Sequence, residues 1–349
     1  MICTVETVQY NKYTSVWNTD ISIAPDGPAI VSDYLINNVT NGEEAVYNDE
    51  TKDKMFVFHH GKTNQTDALT DYRYIGEDSK NYVYFNCSDL QNQNANTCEI
   101  WRIIGIFDVD DGDGHIEQRM KLVSNQFIIN SSWDNRASEE YNVGYGKNEW
   151  EGSVIKNYLN GVYYDNLQPS AKNMIGNAKY FLGAISWKND NAHYGMTENI
   201  YEEERGLSVY NNTRSTEWTG YVGLMYPSDA YMIYAKGVNS TCYNDPYFCR
   251  KIYISGEMTS EIPGAPEKGW IYNGNHALNE TEKQSVWFLS PKKESGVYIQ
   301  ITYHDGSLYN RWGYENYGIR PSVYLNSNTK FIGGNGDINN PYKLKMIEN

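Results

Sequence analysis

The sequence predicts an α+β fold in which antiparallel strands dominate and two short helices pack across them. Three observations support this class: short strand-like segments become dense from Asp71, apolar residues recur at helical spacing after residue 149, and a regular strand block lies between 285 and 325. No internal repeat of solenoid length occurs, so a repeat architecture is not expected. We therefore expect twisted antiparallel sheets joined by long loops.

The first strand block is predicted to contain segments at 72–75, 82–85, 100–107 and 118–123. The last two segments flank the Asp-Gly steps of 108–115, which favour a tight reversal and predict a hairpin. The second block is predicted to contain strands at 285–290, 296–302 and 317–325. Along its middle strand, Val297, Ile299 and Ile301 alternate with more polar residues, which turns one face inward.

Two short helices are predicted between the strand blocks. Trp150, Ile155 and Leu159 share one face of a helix over 149–164. Pro169 begins the second helix, at a position where its missing N–H costs nothing. For the whole chain, we expect a polar lead-in or linker with a short helix over 1–65, and one domain with long loop insertions over 66–349.

Composition limits the classes of partner. The chain has 349 residues and a formal net charge of −15, so a nucleic-acid backbone or an anionic membrane surface would be repelled over most of the protein. No apolar run is long enough for a membrane helix. We therefore expect neither nucleic-acid binding nor direct membrane insertion by this segment.

The chain contains 32 Tyr and is also rich in Asn. One explanation is nucleotide bias in an AT-rich genome, which enriches both residues. The other is a binding surface, because Tyr and Asn combine contact area with adaptable hydrogen bonding, as they do in antibody and sugar-binding surfaces. The sequence leaves both explanations open.

The cysteines predict an oxidising compartment. Cys87 and Cys98 flank a polar run between two predicted strands, and Cys242 and Cys249 bracket a similar turn-rich loop. Neither pair has the spacing of a zinc or redox motif, so two loop-spanning disulfides are predicted, with five unrelated thiols as the alternative. Cys3 has no evident partner.

Two acidic stretches are candidate functional sites. Asp108, Asp110, Asp111 and Asp113 offer hard oxygen ligands at alternating positions that suit Ca²⁺. The spacing does not match an EF-hand, and a solvated hairpin turn, which needs no ion, is the favoured alternative. No other cofactor is expected. The glutamates of 202–204 suggest a glycosidase carboxylate, but three adjacent glutamates predict a solvated face.

The best binding candidate is the stretch 303–317, which is dense in aromatic and polar residues. An exposed strand there would present rings suited to stacking on a sugar or anchoring a protein partner. The alternative is that several of these rings belong to the core. The predicted ligand-binding residues are Tyr303, His304, Tyr309, Arg311, Trp312, Tyr314 and Asn316.

Five segments together resemble a family of surface proteins of low-GC gut bacteria, some of which carry prepilin-type leaders. The segments are DYRYIG at 71–76, YVYFN at 82–86, WRIIGIF at 101–107, GLMYPSD at 223–229 and GIRPSVYL at 318–325. The C-terminal strands of that family look C-type-lectin-like, similar to the formylglycine-generating enzymes. The resemblance implies a C-type-lectin-like domain exposed at the cell surface or secreted.

The activities of that superfamily are not matched by this sequence. The calcium-dependent sugar loop of lectins, Glu-Pro-Asn or Gln-Pro-Asp, is absent, and no Cys follows Cys249 to serve formylglycine chemistry. We expect an extracellular or cell-surface module that binds or adheres to a glycan or to a host or bacterial surface protein, and no enzyme. The alternatives are a structural subunit of a pilus or surface layer, and a cryptic glycoside hydrolase.

Overall fold

A computed structural model describes residues 35–36, 55–59, 70–74, 79–186, 194–231, 251–253, 269–278, 282–304, 306 and 308–346, with the backbone alone at 55–59, 70, 194–199 and 251–253. The described chain is α+β, as the sequence predicts, with mostly antiparallel strands and a few short helices.

The strands, in chain order, are β1 (Met55–His59), β2 (Thr70–Tyr74), β3 (Tyr82–Phe85), β4 (Glu99–Asp110), β5 (Ile116–Ser124), β6 (Ile129–Ser132), β7 (Ala178–Phe181), β8 (Tyr194–Met196), β9 (Glu217–Gly220), β10 (Val222–Leu224), β11 (Lys251–Tyr253), β12 (Val286–Pro291), β13 (Tyr298–Thr302), β14 (Leu308–Trp312), β15 (Asn316–Ile319), β16 (Pro321–Tyr324), β17 (Thr329–Gly333) and β18 (Lys343–Met346).

Two larger sheets organise these strands. The seven-stranded sheet runs β1-β2-β4-β5-β16-β10, and β3 also pairs with β4. The five-stranded sheet runs β14-β13-β12-β15-β6 and is antiparallel except between β12 and β15. Strand β1 lies within the segment that was expected as a lead-in and pairs with β2. The hairpin predicted around 108–115 is observed as β4 and β5.

The predicted strand over 317–325 is two strands, and they belong to different sheets. Strand β15 pairs with β6 in the five-stranded sheet, whereas β16 pairs with β5 and β10 in the seven-stranded sheet. Between them lies Arg320, which is fully buried. Local alternation predicted the extended backbone on both sides, but it carried no information about which neighbours each half would pair with.

The helices are α1 (Val154–Tyr158), α2 (Tyr164–Asn166), α3 (Pro169–Met174), α4 (Thr197–Glu204), α5 (Pro227–Tyr231) and α6 (Trp270–Asn273). Ser153 caps α1 by accepting a hydrogen bond from the Lys156 N–H. A π-helical turn, Leu159–Tyr163, joins α1 to α2, so the helix predicted over 149–164 is interrupted. Helix α3 begins at Pro169, as predicted.

One continuous core joins the two large sheets. It includes Trp101 and Leu122 from the seven-stranded sheet and Phe288 and Ile299 from the five-stranded sheet, all almost fully buried. Burial of each side chain of this size contributes about 1.5–3 kcal/mol. The sheets are also tied by a backbone hydrogen bond of 2.9 Å from the Leu289 N–H to the Met225 carbonyl.

Candidate functional site

The hairpin of β13 and β14 carries most of the predicted binding residues. Tyr298 lies opposite Trp312, and Ile299 lies opposite Arg311. Directly opposed residues of an antiparallel pair share a face, so Trp312 and Arg311 project to opposite faces of the sheet. Strand β14 is the edge strand of the five-stranded sheet, and its residues after the buried Leu308 are half-buried.

The structure separates the seven predicted residues. Arg311 lies over the rings of Tyr309 and Tyr303, at 4.5 and 5.3 Å, and both tyrosines pack against the core. His304 is exposed beside Tyr303, at the other end of the hairpin from Trp312. Tyr303 and Tyr309 therefore pack against the core, which is the alternative that the sequence left open for these rings.

The remaining three residues lie apart from that group. Trp312 and Tyr314 are neighbours, with ring centroids 6.3 Å apart. Asn316 is exposed at the start of β15, where it pairs with Ser132.

Trp312 and Tyr314 belong to an aromatic patch that the sequence did not reveal. The aromatic patch consists of Tyr141, Tyr145, Tyr298, Trp312 and Tyr314. The Trp312 ring centroid lies 5.1 Å from that of Tyr141, 4.7 Å from that of Tyr145 and 4.9 Å from that of Tyr298. Tyr141, Tyr145 and Tyr314 are 41%, 37% and 44% exposed. None of the five rings belongs to the core or to the half-buried residues packed against it.

The loop that carries Tyr141 and Tyr145 is held by the buried carboxylate of Asp134. This side chain accepts hydrogen bonds from the Lys147 N–H at 2.9 Å and from Arg136 Nε at 2.8 Å. Charge-assisted bonds of this kind stabilise a loop more strongly than neutral ones. Because the Lys147 N–H bond joins the two ends of the loop, the aromatic side chains project from a closed loop.

A close backbone approach docks the same loop against β14. The N–H groups of Trp133 and Asp134 donate to the Gly313 carbonyl at 2.8 and 3.0 Å. Gly146 has φ +82°, and a Cβ there would lie 2.5 Å from the Asp134 carbonyl oxygen and 3.0 Å from the Gly313 Cα. Glycine is required at this position for both reasons. The approach brings Tyr145 against Trp312.

Two glutamates anchor the outer part of the loop. Glu139 pairs with Arg214 and Lys147, each at 2.8 Å, and hydrogen bonds from these two side chains lower its pKa to about 2. Glu140 accepts hydrogen bonds from the Ser295 hydroxyl and the Gly296 N–H, at 2.8 and 2.9 Å. The loop is thereby tied to the segment before β13.

The phenols of Tyr141 and Tyr298 remain neutral hydrogen-bonding groups at physiological pH. A hydrogen bond to Glu140 raises the pKa of Tyr141, and burial followed by the charge of Glu140 raises the pKa of Tyr298. Neutral phenols can donate to and accept from hydroxyl groups while their ring faces contact apolar C–H groups. This combination suits a ligand with both kinds of surface.

Sequence reasoning missed Tyr141, Tyr145 and Tyr298. The last could have been found, because the alternation that turns Ile299 and Ile301 inward turns Tyr298 outward. Tyr141 and Tyr145 lie more than 150 residues before Trp312 in the chain, and no local pattern connects them.

The acidic loop lies at the tip of the β4–β5 hairpin. Asp110 pairs with Lys179 at 2.7 Å and accepts from the N–H groups of Gly112 and Gly114. Burial raises the pKa of Asp110, but these hydrogen bonds outweigh burial and lower it overall. Asp111 accepts from the Asp113 N–H at 2.8 Å.

The calcium site therefore stays a prediction. In the part of the chain that the structure describes, no group of three or more His, Cys, Asp or Glu side chains is placed to hold a metal.

A buried charge cluster lies between the seven-stranded sheet, α4 and α5. Its members are Asp71, Arg73, Lys121, Glu204, Arg205 and Asp229. Arg73 pairs with Asp71 at 2.6 Å and with Asp229 at 3.1 Å, and Lys121 lies 2.5 Å from Asp229. The expectation of a solvated glutamate run is wrong for Glu204, which is fully buried. It accepts from the Ser228 N–H and hydroxyl, and burial raises its pKa to about 7.

The cavity beside this cluster is small. Asp71, Tyr201 and Arg205 are among the residues that line it, and its volume is about 20 Å³. A space of this size holds about one water molecule, so a sugar ring does not fit beside these carboxylates.

The disulfide predicted between Cys87 and Cys98 is confirmed. The polar run between these cysteines folds onto the C-terminal hairpin, where Gln93 Nε2 donates to the Leu344 carbonyl and Gln93 Oε1 accepts from its N–H, at 2.7 and 3.0 Å. The second predicted pair, Cys242 and Cys249, and Cys3 lie outside the described residues.

Comparison of the chain with protein-family models, curated proteins and solved structures found no match. Of the helices in the described ranges, none has the length and apolar character needed to cross a membrane.

Proposed function

We propose that the protein is a C-type-lectin-like module, secreted or exposed at the cell surface, that binds or adheres to a glycan through the aromatic patch. One observation carries the proposal: five adjacent aromatic rings, three of them exposed and two half-buried, lie outside the core. Large aromatic side chains are normally buried, and contiguous exposed ones mark interaction sites.

The chemistry of the patch favours a sugar over a flat apolar ligand. The pyranose ring presents C–H groups to an aromatic face and hydroxyl groups at its edge, and the neutral phenols of Tyr141 and Tyr298 can bond those hydroxyls. The net charge of −15 and the nearby Glu140 disfavour an anionic glycan. A neutral glycan is therefore the proposed ligand, and a surface protein is the alternative partner.

The Cys87–Cys98 disulfide supports an extracytoplasmic location, because disulfides persist in oxidising compartments. The C-type-lectin-like assignment rests on the five segments at 71–76, 82–86, 101–107, 223–229 and 318–325. The mixed, mostly antiparallel architecture is compatible with it.

Binding to a glycan array and to a panel of surface proteins tests the proposal. We expect Trp312→Ala and Tyr141→Ala each to weaken glycan binding by about tenfold or more, because truncating a central aromatic anchor typically costs more than about 1.4 kcal/mol. The matched control is Tyr221→Ala: Tyr221 is also 41% exposed but stacks on Tyr164, outside the aromatic patch. This control should bind as the wild type does.

Arg311→Ala separates the aromatic patch from the other face of β14. We expect this variant to retain glycan binding, because Arg311 projects away from Trp312. Loss of binding in Arg311→Ala with full binding in Trp312→Ala would move the site to the opposite face. Binding unchanged in all of these variants would overturn the proposal.

One observation favours a structural subunit of a pilus or surface layer as a second candidate. Ile128 and Ile129, at the start of edge strand β6, are 38% and 42% exposed. Exposed apolar residues on an unpaired strand edge promote association between chains. Concentration-dependent self-association in sedimentation experiments, without glycan binding, would favour this candidate.

A further inference from the structure

The strongest unexplained feature is a contact between an amine and a carboxylate inside the buried charge cluster. Lys121 Nζ lies 2.5 Å from Asp229 Oδ2, and both side chains are fully buried. Lys121 belongs to β5 and Asp229 to α5, 108 residues further along the chain. The fold therefore places a primary amine against a carboxyl group where solvent does not reach.

Aromatic rings form much of the surroundings of this pair. Lys121 Nζ lies 4.3 Å from the ring centroid of Tyr226, 5.1 Å from that of Tyr324 and 5.6 Å from that of Phe107. Such a setting penalises charge, because an ammonium and a carboxylate both lose their hydration when they are removed from water. Burial accordingly lowers the pKa of Lys121 to about 8, against the opposing effect of Asp229.

We propose that Lys121 and Asp229 condense to form an intramolecular amide cross-link. A proton passes from Nζ to Oδ2, the neutral amine attacks Cγ, and the Nζ–Cγ bond forms. The bond between Cγ and one carboxyl oxygen then breaks, and that oxygen leaves as water. The two protons of this water are the two that the ammonium group has lost. No oxidant, reductant or other reactant is required, and two buried charges become one neutral amide.

Two further hydrogen-bond donors are placed to assist this reaction. Arg73 Nη1 lies 3.1 Å from Asp229 Oδ1, and the Tyr226 N–H lies 2.9 Å from Oδ2. Arg73 polarises the carboxyl group and stabilises the negative charge that develops on Oδ1 when the amine adds to Cγ, whereas the Tyr226 N–H positions Oδ2, the oxygen that receives the proton.

The same contacts also make the reaction slow. Together with Lys121 they lower the pKa of Asp229 in spite of its burial, so the transfer of the proton to Oδ2 is the unfavourable step. The cross-link should therefore accumulate after folding rather than during it.

The mass of the purified, fully reduced and denatured wild-type chain tests the proposal directly. We expect a mass lower than that of the sequence by one water, about 18 Da. Tryptic digestion should yield a branched peptide that contains both Lys121 and Asp229, because trypsin does not cleave after an acylated lysine. A chain of unmodified mass after prolonged incubation in the folded state would overturn the proposal.

The variant Lys121→Arg distinguishes the cross-link from other reactions that remove one water from the chain. Asp-Gly sequences, such as those at 111–112 and 113–114, also lose one water when they form a cyclic imide. Lys121→Arg retains the positive charge but removes the amine, so this variant should have its full sequence mass. A loss of about 18 Da that persists in Lys121→Arg, or that maps only to an Asp-Gly step, would assign the modification elsewhere and overturn the cross-link.

Discussion

At the scale of single residues, burial changes the chemistry of groups that the sequence presents as ordinary. Glu204 is the clearest case. Its neighbours Glu202 and Glu203 are exposed and half-buried, whereas Glu204 is fully buried against Ser228. Three identical side chains in one run therefore occupy three environments, because a helical turn directs successive residues to different sides.

The raised pKa of Glu204 predicts a pH dependence of stability. Between its ordinary value of 4.5 and about 7, the folded state binds more protons at this carboxyl group than the unfolded state does. The free energy of unfolding should therefore decrease as the pH rises through this range, by on the order of 3 kcal/mol, and level off above it.

Urea unfolding at a series of pH values measures this slope. Glu204→Gln should remove most of it, because the amide does not ionise, whereas Glu202→Gln, which changes an exposed side chain of the same helix, should retain it. An unchanged slope in Glu204→Gln would show that other groups cause the pH dependence.

At the scale of elements, the aromatic patch combines side chains of two strands with side chains of a loop. Strand β14 supplies Trp312, but the loop closed by Asp134 supplies Tyr141 and Tyr145. The β3–β4 hairpin has a comparable arrangement, since its disulfide closes a polar loop that Gln93 joins to β18. In both cases a covalent or charge-assisted closure holds a loop that buries few apolar side chains of its own.

Removal of the disulfide tests the second closure. A double variant, Cys87→Ala and Cys98→Ala, should lower the free energy of unfolding by about 3 kcal/mol, because a cross-link over a loop of this length restricts the unfolded chain. Thermal unfolding of the wild type and the variant, each with and without reductant, measures the effect. Reductant should bring the wild type close to the variant, and equal stability of the two without reductant would contradict the expectation.

At the scale of the whole molecule, Arg320 lies where the chain crosses from the five-stranded to the seven-stranded sheet. Its guanidinium donates to the carbonyls of Ser124, Asn125 and Ile271 and to Asn275 Oδ1, at 2.5–3.2 Å. These acceptors lie 45–196 residues away along the chain. One side chain thus connects the junction between β15 and β16, where the chain passes from one sheet to the other, with the end of β5 and with α6.

Arg320→Lys should therefore destabilise the protein although it retains the charge. An ammonium group cannot reach four acceptors arranged around a planar guanidinium, and the acceptors left without donors are buried. We expect the free energy of unfolding in urea to fall by about 3 kcal/mol.

Arg136→Lys is the control, because Arg136 is one-third exposed and donates mainly to Asp134. Its loss should be below about 1 kcal/mol. Equal effects of the two substitutions would contradict the structural role of Arg320.

The sequence by itself determined the structural features that depend on residues close together in the chain. Strand-like segments predicted β2 to β5, β12, β13 and the extended backbone of β15 and β16, although not β1 or β6. The Asp-Gly steps predicted the β4–β5 hairpin, Pro169 predicted the start of α3, and cysteine spacing predicted the Cys87–Cys98 bond. These features arise from local backbone preferences and from the periodicity of side chains along an element, and both can be read over a few residues.

Only the tertiary structure decided which distant residues meet. It placed Arg311 and Trp312 on opposite faces of β14, joined Trp312 to Tyr141 and Tyr145, and buried Glu204 and Arg320. The physical reason is that such contacts form when separate elements pack, and packing depends on the shape and charge of surfaces assembled from the whole chain. No short stretch of sequence contains that information.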